Sequence, residues 1–379
     1  MALSLCLSGP AFLSASAWAI ELKVDGPETV IFDQRTQACD ASDLPDAPAR
    51  AFRDDQGRMV LFAPNFKNRA FTGPDLRHLT KDCTVRFAAS GSADPAMLDD
   101  RTWLHGFFTA DGRNVFAFAS ASFIPYRHGG ACAAGPERTA CWRNGIAALL
   151  STDGGKTFHY SAPPPRQTVM PPETAFNPQV KDPEGFVSTT NIVAWNGDLY
   201  AIVWRRAGEA GKSRNCLVRA PKGDVDRWEM WTGEGFAPLA ERMADGWKVE
   251  GLDCAPIGPK GLPSIRGLVR HEASGEFVAV FQMRGRKGAP DGFYTVTSKD
   301  LISWSEPSLL AAVPLRGGRE DEGEYSGYPS LIDDQSPDRN FGTVGTRADL
   351  VFVRFETDAS GKRPKRVREL VALPLRVSP

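Results

Sequence analysis

Short β-branched and aromatic runs, each broken by a polar turn, recur along this 379-residue chain. Arg50 to Gly57 leads into Met59 to Phe62, and Trp103 to Gly112 leads into Val115 to Phe118. Thr190 to Gly197 precedes Leu199 to Trp204, and Ile265 to Gly275 precedes Phe277 to Phe281. A fifth version runs from Tyr328 to Asp333 and reaches Leu350 to Val353 through a longer turn. The turn glycines at 57, 112, 197 and 275 lie 55, 85 and 78 residues apart, the size of a four-stranded antiparallel sheet with its loops. Helical periodicity is almost absent, and only Ala237 to Ala244 reads as a short helix.

Further strands complete the repeat. Asp224 to Trp231 and Ser298 to Trp304 fall where outer strands belong, as does the C-terminal run Val367 to Leu375. Glu28 to Phe32 is a spare N-terminal strand, placed to pair with the last sheet and remove an exposed edge. The octamer Ser151-Thr-Asp-Gly-Gly-Lys-Thr-Phe158 describes a hairpin tip. In it the Ser hydroxyl and the Asp carboxylate satisfy turn N–H groups, glycine accepts positive φ, and Phe158 folds back onto the sheet. This octamer resembles the Asp box of sialidases and related β-propellers, and Ser298-Lys-Asp-Leu-Ile-Ser-Trp304 is a partial echo without the glycine. The expectation is an all-β chain forming a five-bladed β-propeller, with six blades as the runner-up. It would be one domain over 20–379, behind a signal peptide at 1–19.

Composition bounds the partners. A net charge of −1 and a pI near 6.5 give no electrostatic attraction for nucleic acid or an anionic membrane. Leu3 to Leu13 is largely apolar and Ala17-Trp-Ala19 is a small-x-small cleavage pattern, so a secreted or periplasmic product is expected. Beyond Cys6 the chain has Cys39, Cys83, Cys132, Cys141, Cys216 and Cys254, an even set that suits an oxidising compartment. Sequence proximity predicts the pairs 39–83, 132–141 and 216–254. With five histidines and no Cys-x-x-Cys, neither a structural metal nor a cofactor is expected, and the chain reads as a monomer.

The resemblance also bears on activity. The octamer, Thr297 to Pro307 and Tyr328 to Asp333 are similar to blade motifs of two carbohydrate-active groups. These are the sialidases and the five-bladed arabinanase, β-xylosidase and invertase-like hydrolases. Phe52-Arg53-Asp54 is similar to the invertase Arg-Asp-Pro, with Asp55 in the proline's place. The resemblance implies a glycoside hydrolase with two carboxylates in an axial funnel, one protonated and one ionised.

Acids precede each predicted inner strand: Asp46, Asp99 and Asp100, Asp182 and Glu184, Glu250 and Asp253, and Glu320 to Glu324. Asp46, held extended between two prolines, is the expected base or nucleophile. Glu184, in Asp-Pro-Glu-Gly, is the expected acid, and Asp100 a third carboxylate that tunes it. Trp103 and Tyr328 are candidates to stack on a sugar, and Asn191 is a polar residue on an apolar strand. Arg50, Arg53 and Arg266, with Arg270 and Arg284, come from different sheets and are candidates to meet a carboxylate, as the sialidase arginines do. Two other classes stay open. One is a glycan-binding propeller without catalysis. The other is a sialidase-like enzyme or a lyase acting on acidic sugars, with Tyr325 or Tyr328 as nucleophile, or His105 or Tyr126 as base.

The cysteine reading has a direct check. Non-reducing peptide mapping of exported protein should recover the three named pairs, each contributing on the order of 2–4 kcal/mol; six free thiols would refute both the pairing and the compartment.

Overall fold

A computed structural model describes residues 20–129, 132–135, 139–207, 213–239, 254–285, 288–316, 324–357 and 364–379. The proposed signal segment, Glu250, Asp253 and Glu320 to Glu322 lie outside these residues. The described chain is almost entirely β, with one α-helical turn at Gln34–Gln37.

Each stretch of chain folds back on itself. Arg50–Arg53, Met59–Phe62, Ala70–Gly73 and Thr80–Lys81 form an antiparallel N-terminal sheet. Arg101–Phe108, Val115–Phe123, Arg143–Ser151 and His159–Tyr160 repeat the arrangement. Glu184–Thr189, Asp198–Ala207, Arg214–Pro221, Glu229–Trp231 and Phe236–Pro238 do so again. The second and third runs belong to one eleven-stranded sheet, because Glu184 and Gly185 pair in parallel with Arg143 and Asn144. A fourth run comprises Gly267–His271, Phe277–Met283, Gly292–Ser298 and Ser308–Ala312. The C-terminal sheet joins Glu324–Ile332, Arg347–Thr357 and Pro364–Ser378, and Glu21–Val24 and Thr29–Asp33 pair with its last strand. The spare N-terminal strand therefore covers the edge it was expected to cover. The short helix expected at 237–244 is not there: Phe236–Pro238 is a strand paired with Glu229–Trp231, and 240–253 lies outside the described residues.

Turn chemistry explains the repeat. The four marker glycines all have positive φ, and at Gly112 an added Cβ would also lie 2.4 Å from the backbone of Asp54. That turn is thus wedged against the N-terminal sheet. In the octamer, Ser151 Oγ accepts from Gly155 N at 2.9 Å, while Asp153 accepts from Lys156 N and Thr157 N at 2.9 and 3.0 Å. The echo is built alike, with Ser298 Oγ accepting from Leu301 N at 2.8 Å and Asp300 from Ser303 N at 2.7 Å. Leu301 takes φ +65° there, a conformation the octamer gives to glycine.

Aromatic side chains fix the order in which the sheets pack. Phe52 meets Phe107, Phe118 meets Trp228, Trp195 meets Phe277, and Phe293 meets Phe352. Phe32, on the C-terminal sheet, then packs edge-on against Phe71 of the N-terminal sheet at 5.4 Å. Each run touches its successor and the last touches the first. The three disulfides join Cys39–Cys83, Cys132–Cys141 and Cys216–Cys254, with Cα separations of 5.5, 5.8 and 5.5 Å.

Buried amides lock neighbouring runs. Asn68 accepts from Leu104 N and donates to Thr102 O, both at 2.8 Å. Asn215 does the same for Ile265 N and Pro263 O, at 2.9 Å each. Asn340, from the loop after Glu324–Ile332, reaches Thr109 N at 2.8 Å and Thr109 O at 3.0 Å. The same loop receives Arg53 N on Arg339 O and Arg270 N on Gly342 O, so it spans one end of the assembly. Asn340→Ala leaves both Thr109 groups buried and unpaired. Urea unfolding should show a loss of at least about 2 kcal/mol; a change under ~0.5 kcal/mol would contradict this role.

Candidate functional site

The runs converge on a pocket of about 130 Å³. For scale, an engineered cavity of roughly 150 Å³ admits benzene. Every run contributes to its wall: Asp46 and Pro48, then Trp103, His105, Trp142 and Asn144, then Val187, Ser188 and Arg206, then Arg266, and finally Tyr328.

Three of these residues sit at irregularities in otherwise regular strands. Pairing shifts register between Leu104 and Gly106, between Phe186 and Ser188, and between Gly327 and Ser330. His105, Val187 and Tyr328 lie inside those shifts, and each faces the pocket. A bulge adds one residue against its partner strand and re-aims the side chain there. Tyr328 also holds φ +57°, a strained value for a bulky residue, fixed in part by its N–H donating to Gln282 Oε1 at 3.2 Å.

Asp46 is the acid among the residues lining the pocket. Tyr328 Oη donates to it at 3.3 Å, and Arg368 forms an ion pair with it. Burial, reinforced by the Asp46 charge, pushes the Tyr328 hydroxyl up to about 12. Glu184 stands outside the lining. Its carboxylate is 3.4 Å from Arg143 Nε and accepts from Thr174 Oγ1 at 3.3 Å. Burial raises its pKa and Arg143 opposes that rise.

Several other candidates have structural work instead. Asp100 is fully buried beneath the 124–128 turn, 3.1 Å from Arg127 Nε and 3.2 Å from His128 Nε2, and accepts from Ile124 N. It anchors that loop and does not line the pocket. Asn191 brackets Leu268, accepting from its N–H at 2.9 Å and donating to its carbonyl, which joins the third run to the fourth. Arg53 donates to Asp334 O and lies over Phe341, 4.8 Å from the ring centre. Arg284 donates to Arg316 O at 2.7 Å, Tyr325 stacks on Phe355, and Tyr126 is exposed. Arg50 lies deeper than the pocket wall. It donates to the carbonyls of Ala49, Thr189 and Arg266 and to Ser330 Oγ, and burial, then the Arg266 charge, depresses it to about 9.

Sequence reasoning missed Arg206, Trp142, Asn144 and Ser188. A signal existed for Arg206: Arg205 and Arg206 end a strand, so alternation sends them to opposite faces. Arg205 pairs with Glu173, while Arg206 turns to the pocket. Among the described residues neither Arg206 nor Arg266 has a carboxylate partner. Burial, then the Arg266 charge, lowers Arg206 to about 10, and burial lowers Arg266. The indole N–H groups of Trp103 and Trp142, Nδ1 of His105, Oδ1 of Asn144, Oγ of Ser188 and Nε of Arg266 are buried without hydrogen-bond partners. The lining itself mixes the two indoles with Asp46, Ser120, Ser122, Arg206 and Tyr328, so the pocket wall is part apolar and part polar. Among the described residues, no three His, Cys, Asp or Glu side chains gather as a metal site requires.

His105 offers a pH test. Burial and the charges of Arg50 and Arg266 depress it from 6.5 to about 3. Between those values the unfolded chain binds a proton that the folded chain refuses, so stability falls as pH drops through this window and is fully present above it. Replacing His105 by Asn should remove that component. The stability gap between the two proteins should change with pH by up to ~1.4 kcal/mol per unit within the window. Parallel stability profiles from pH 7 to pH 4 would rule this out.

No known protein-family signature matches the sequence, and no curated protein is similar to it in sequence. Several solved structures superpose loosely. One is an endo-arabinase from Bacteroides thetaiotaomicron, at 13% identity and TM-score 0.48, covering 89% of this chain and 97% of that one. Another is an N-acetylgalactosamine deacetylase from F. plautii in complex with blood group B trisaccharide, at 13% identity and TM-score 0.47, covering 94% and 95%. A third is a sucrose-6-phosphate hydrolase from Lactobacillus gasseri, at 11% identity and TM-score 0.46, covering 89% and 62%.

Proposed function

We propose that this chain is a carbohydrate-active protein, a single-domain β-propeller of five blades whose axial pocket takes a sugar. The blade reading is supported by the five successive antiparallel runs and by aromatic contacts that lead from each run to the next and from the last to the first. The observation that carries the sugar reading is the pocket wall. Two indoles line it beside Asp46, Ser120, Ser122, Arg206 and Tyr328, a mixture of apolar faces and polar groups that suits a sugar ring. Three disulfides suit a secreted or periplasmic protein.

As an enzyme, the protein would act on the sugar through Asp46, the carboxylate placed in the wall to serve as base or nucleophile. Glu184 has the raised proton affinity a donor needs, yet its oxygens are engaged by Arg143 and Thr174. That single carboxylate in the wall also favours a second reading, a glycan-binding propeller without turnover.

A panel of aryl-glycosides and purified glycans separates the two. A hydrolase should turn over at least one member and lose ~10²-fold or more with Asp46→Asn. Glu184→Gln should cause a similar loss only if Glu184 is the proton donor. Saturable binding without turnover would establish the binding module, and neither binding nor turnover on the whole panel would end the carbohydrate reading.

A further inference from the structure

The charge balance of the pocket goes further than its sugar-like lining. This step rests on the carbohydrate reading above and names the class of sugar.

Arg206 and Arg266 line the pocket, and three arginines that contact its surroundings are already answered. Arg368 is neutralised by Asp46, and Arg143 faces Glu184. Arg50 is surrounded by carbonyl and hydroxyl oxygens. Arg206 and Arg266 are different. They reach the same pocket from the third and fourth runs, close enough for the Arg266 charge to disfavour that of Arg206, and neither has an anionic partner among the described residues. The acid in the lining, Asp46, is engaged by Arg368 and by the Tyr328 hydroxyl.

Two half-buried like charges without a counterion are costly, and a fold keeps such a pair where something else supplies the negative charge. Among the described residues no further carboxylate lines the wall to offset them, and the Tyr328 ring, 5.9 Å from the Arg266 guanidinium, supplies only a weak contact. His105, beside Arg266, stays neutral, and Trp103 and Trp142 add only N–H donors. We infer that the pocket binds a sugar unit bearing an oxyanion, a carboxylate or a sulfate ester, held jointly by Arg206 and Arg266, with the two indoles beside the ring. Arg50 acts as a positioning residue in this scheme, because its guanidinium holds the backbone carbonyl of Arg266.

Titration calorimetry at pH 7 tests this with glucuronate, galacturonate, N-acetylneuraminate and glucose 6-sulfate, against glucose, galactose and inorganic sulfate. At least one acidic sugar should bind ~10-fold or more tightly than its neutral counterpart and than inorganic sulfate. Which acidic sugar binds separates carboxylate from sulfate recognition. Arg206→Met and Arg266→Met should each remove that preference. Without ligand both variants should be at least as stable to urea as the parent, since each relieves an uncompensated buried charge. Neutral sugars binding as well as acidic ones would overturn the inference and leave the carbohydrate reading standing. Inorganic sulfate binding as tightly as any sugar acid would also overturn it. So would variants that are destabilised yet keep the acidic-sugar preference, because the arginines would then be structural. If no sugar of either kind binds, the carbohydrate reading falls first and this inference falls with it.

Discussion

The guanidinium of Arg50 is the point on which the assembly turns. It is almost wholly buried, has no carboxylate partner among the described residues, and donates to oxygens contributed by the first, third, fourth and last runs of chain. A planar group with five donors is suited to this task, because it can satisfy several carbonyls that approach from different directions. Buried carbonyls need donors, and Arg50 supplies one each to those of Ala49, Thr189 and Arg266. The charge is dispersed over backbone dipoles, at the cost evident in its depressed pKa. The asparagines at 68, 191, 215 and 340 extend the same solution outward, each answering a backbone group on another run.

The pocket inherits its character from this arrangement. Burial, then the Arg50 and Arg266 charges, hold His105 neutral, and Arg206 and Arg266 line the pocket. Asp46 answers Arg368 on the opposite side, and Tyr328 bridges the two regions, with its hydroxyl toward Asp46 and its ring 5.9 Å from the Arg266 guanidinium. The pocket therefore holds one paired acid and, among the described residues, two cations without a carboxylate partner. A ligand with a single anionic substituent has a defined orientation in such a field.

Away from the pocket lining, the second run carries the 124–128 turn. Asp100 closes the base of the 124–128 turn through Arg127 and His128, and His128 stacks on Phe123 with ring centres 5.4 Å apart. The Cys132–Cys141 bridge then limits how far the loop beyond can spread. Asp100, expected to tune a catalytic partner, has its contacts in this turn and outside the pocket lining.

What the sequence determined by itself were the features encoded within a few residues. The strand-turn-strand repeat, the hairpin tips at Ser151 and Ser298, the covering N-terminal strand and the cysteine pairs follow from alternation, turn chemistry and proximity, and those forces are local. Asp46, Trp103, His105, Arg266 and Tyr328 were also legible as pocket residues, because each stands on or just before an inner strand. Tertiary structure decided the rest. Asp100, Asn191 and Arg53 have the same residue types and strand positions as ligand contacts, but their partners lie on other elements of the fold, as with Asn191 and Leu268, 77 positions apart. Three register shifts turn His105, Val187 and Tyr328 toward the pocket, and strict two-residue periodicity cannot anticipate an inserted residue. The unmatched charge of Arg206 was least visible of all. Whether a cation is compensated depends on which groups the folded chain brings beside it, and no local pattern carries that information.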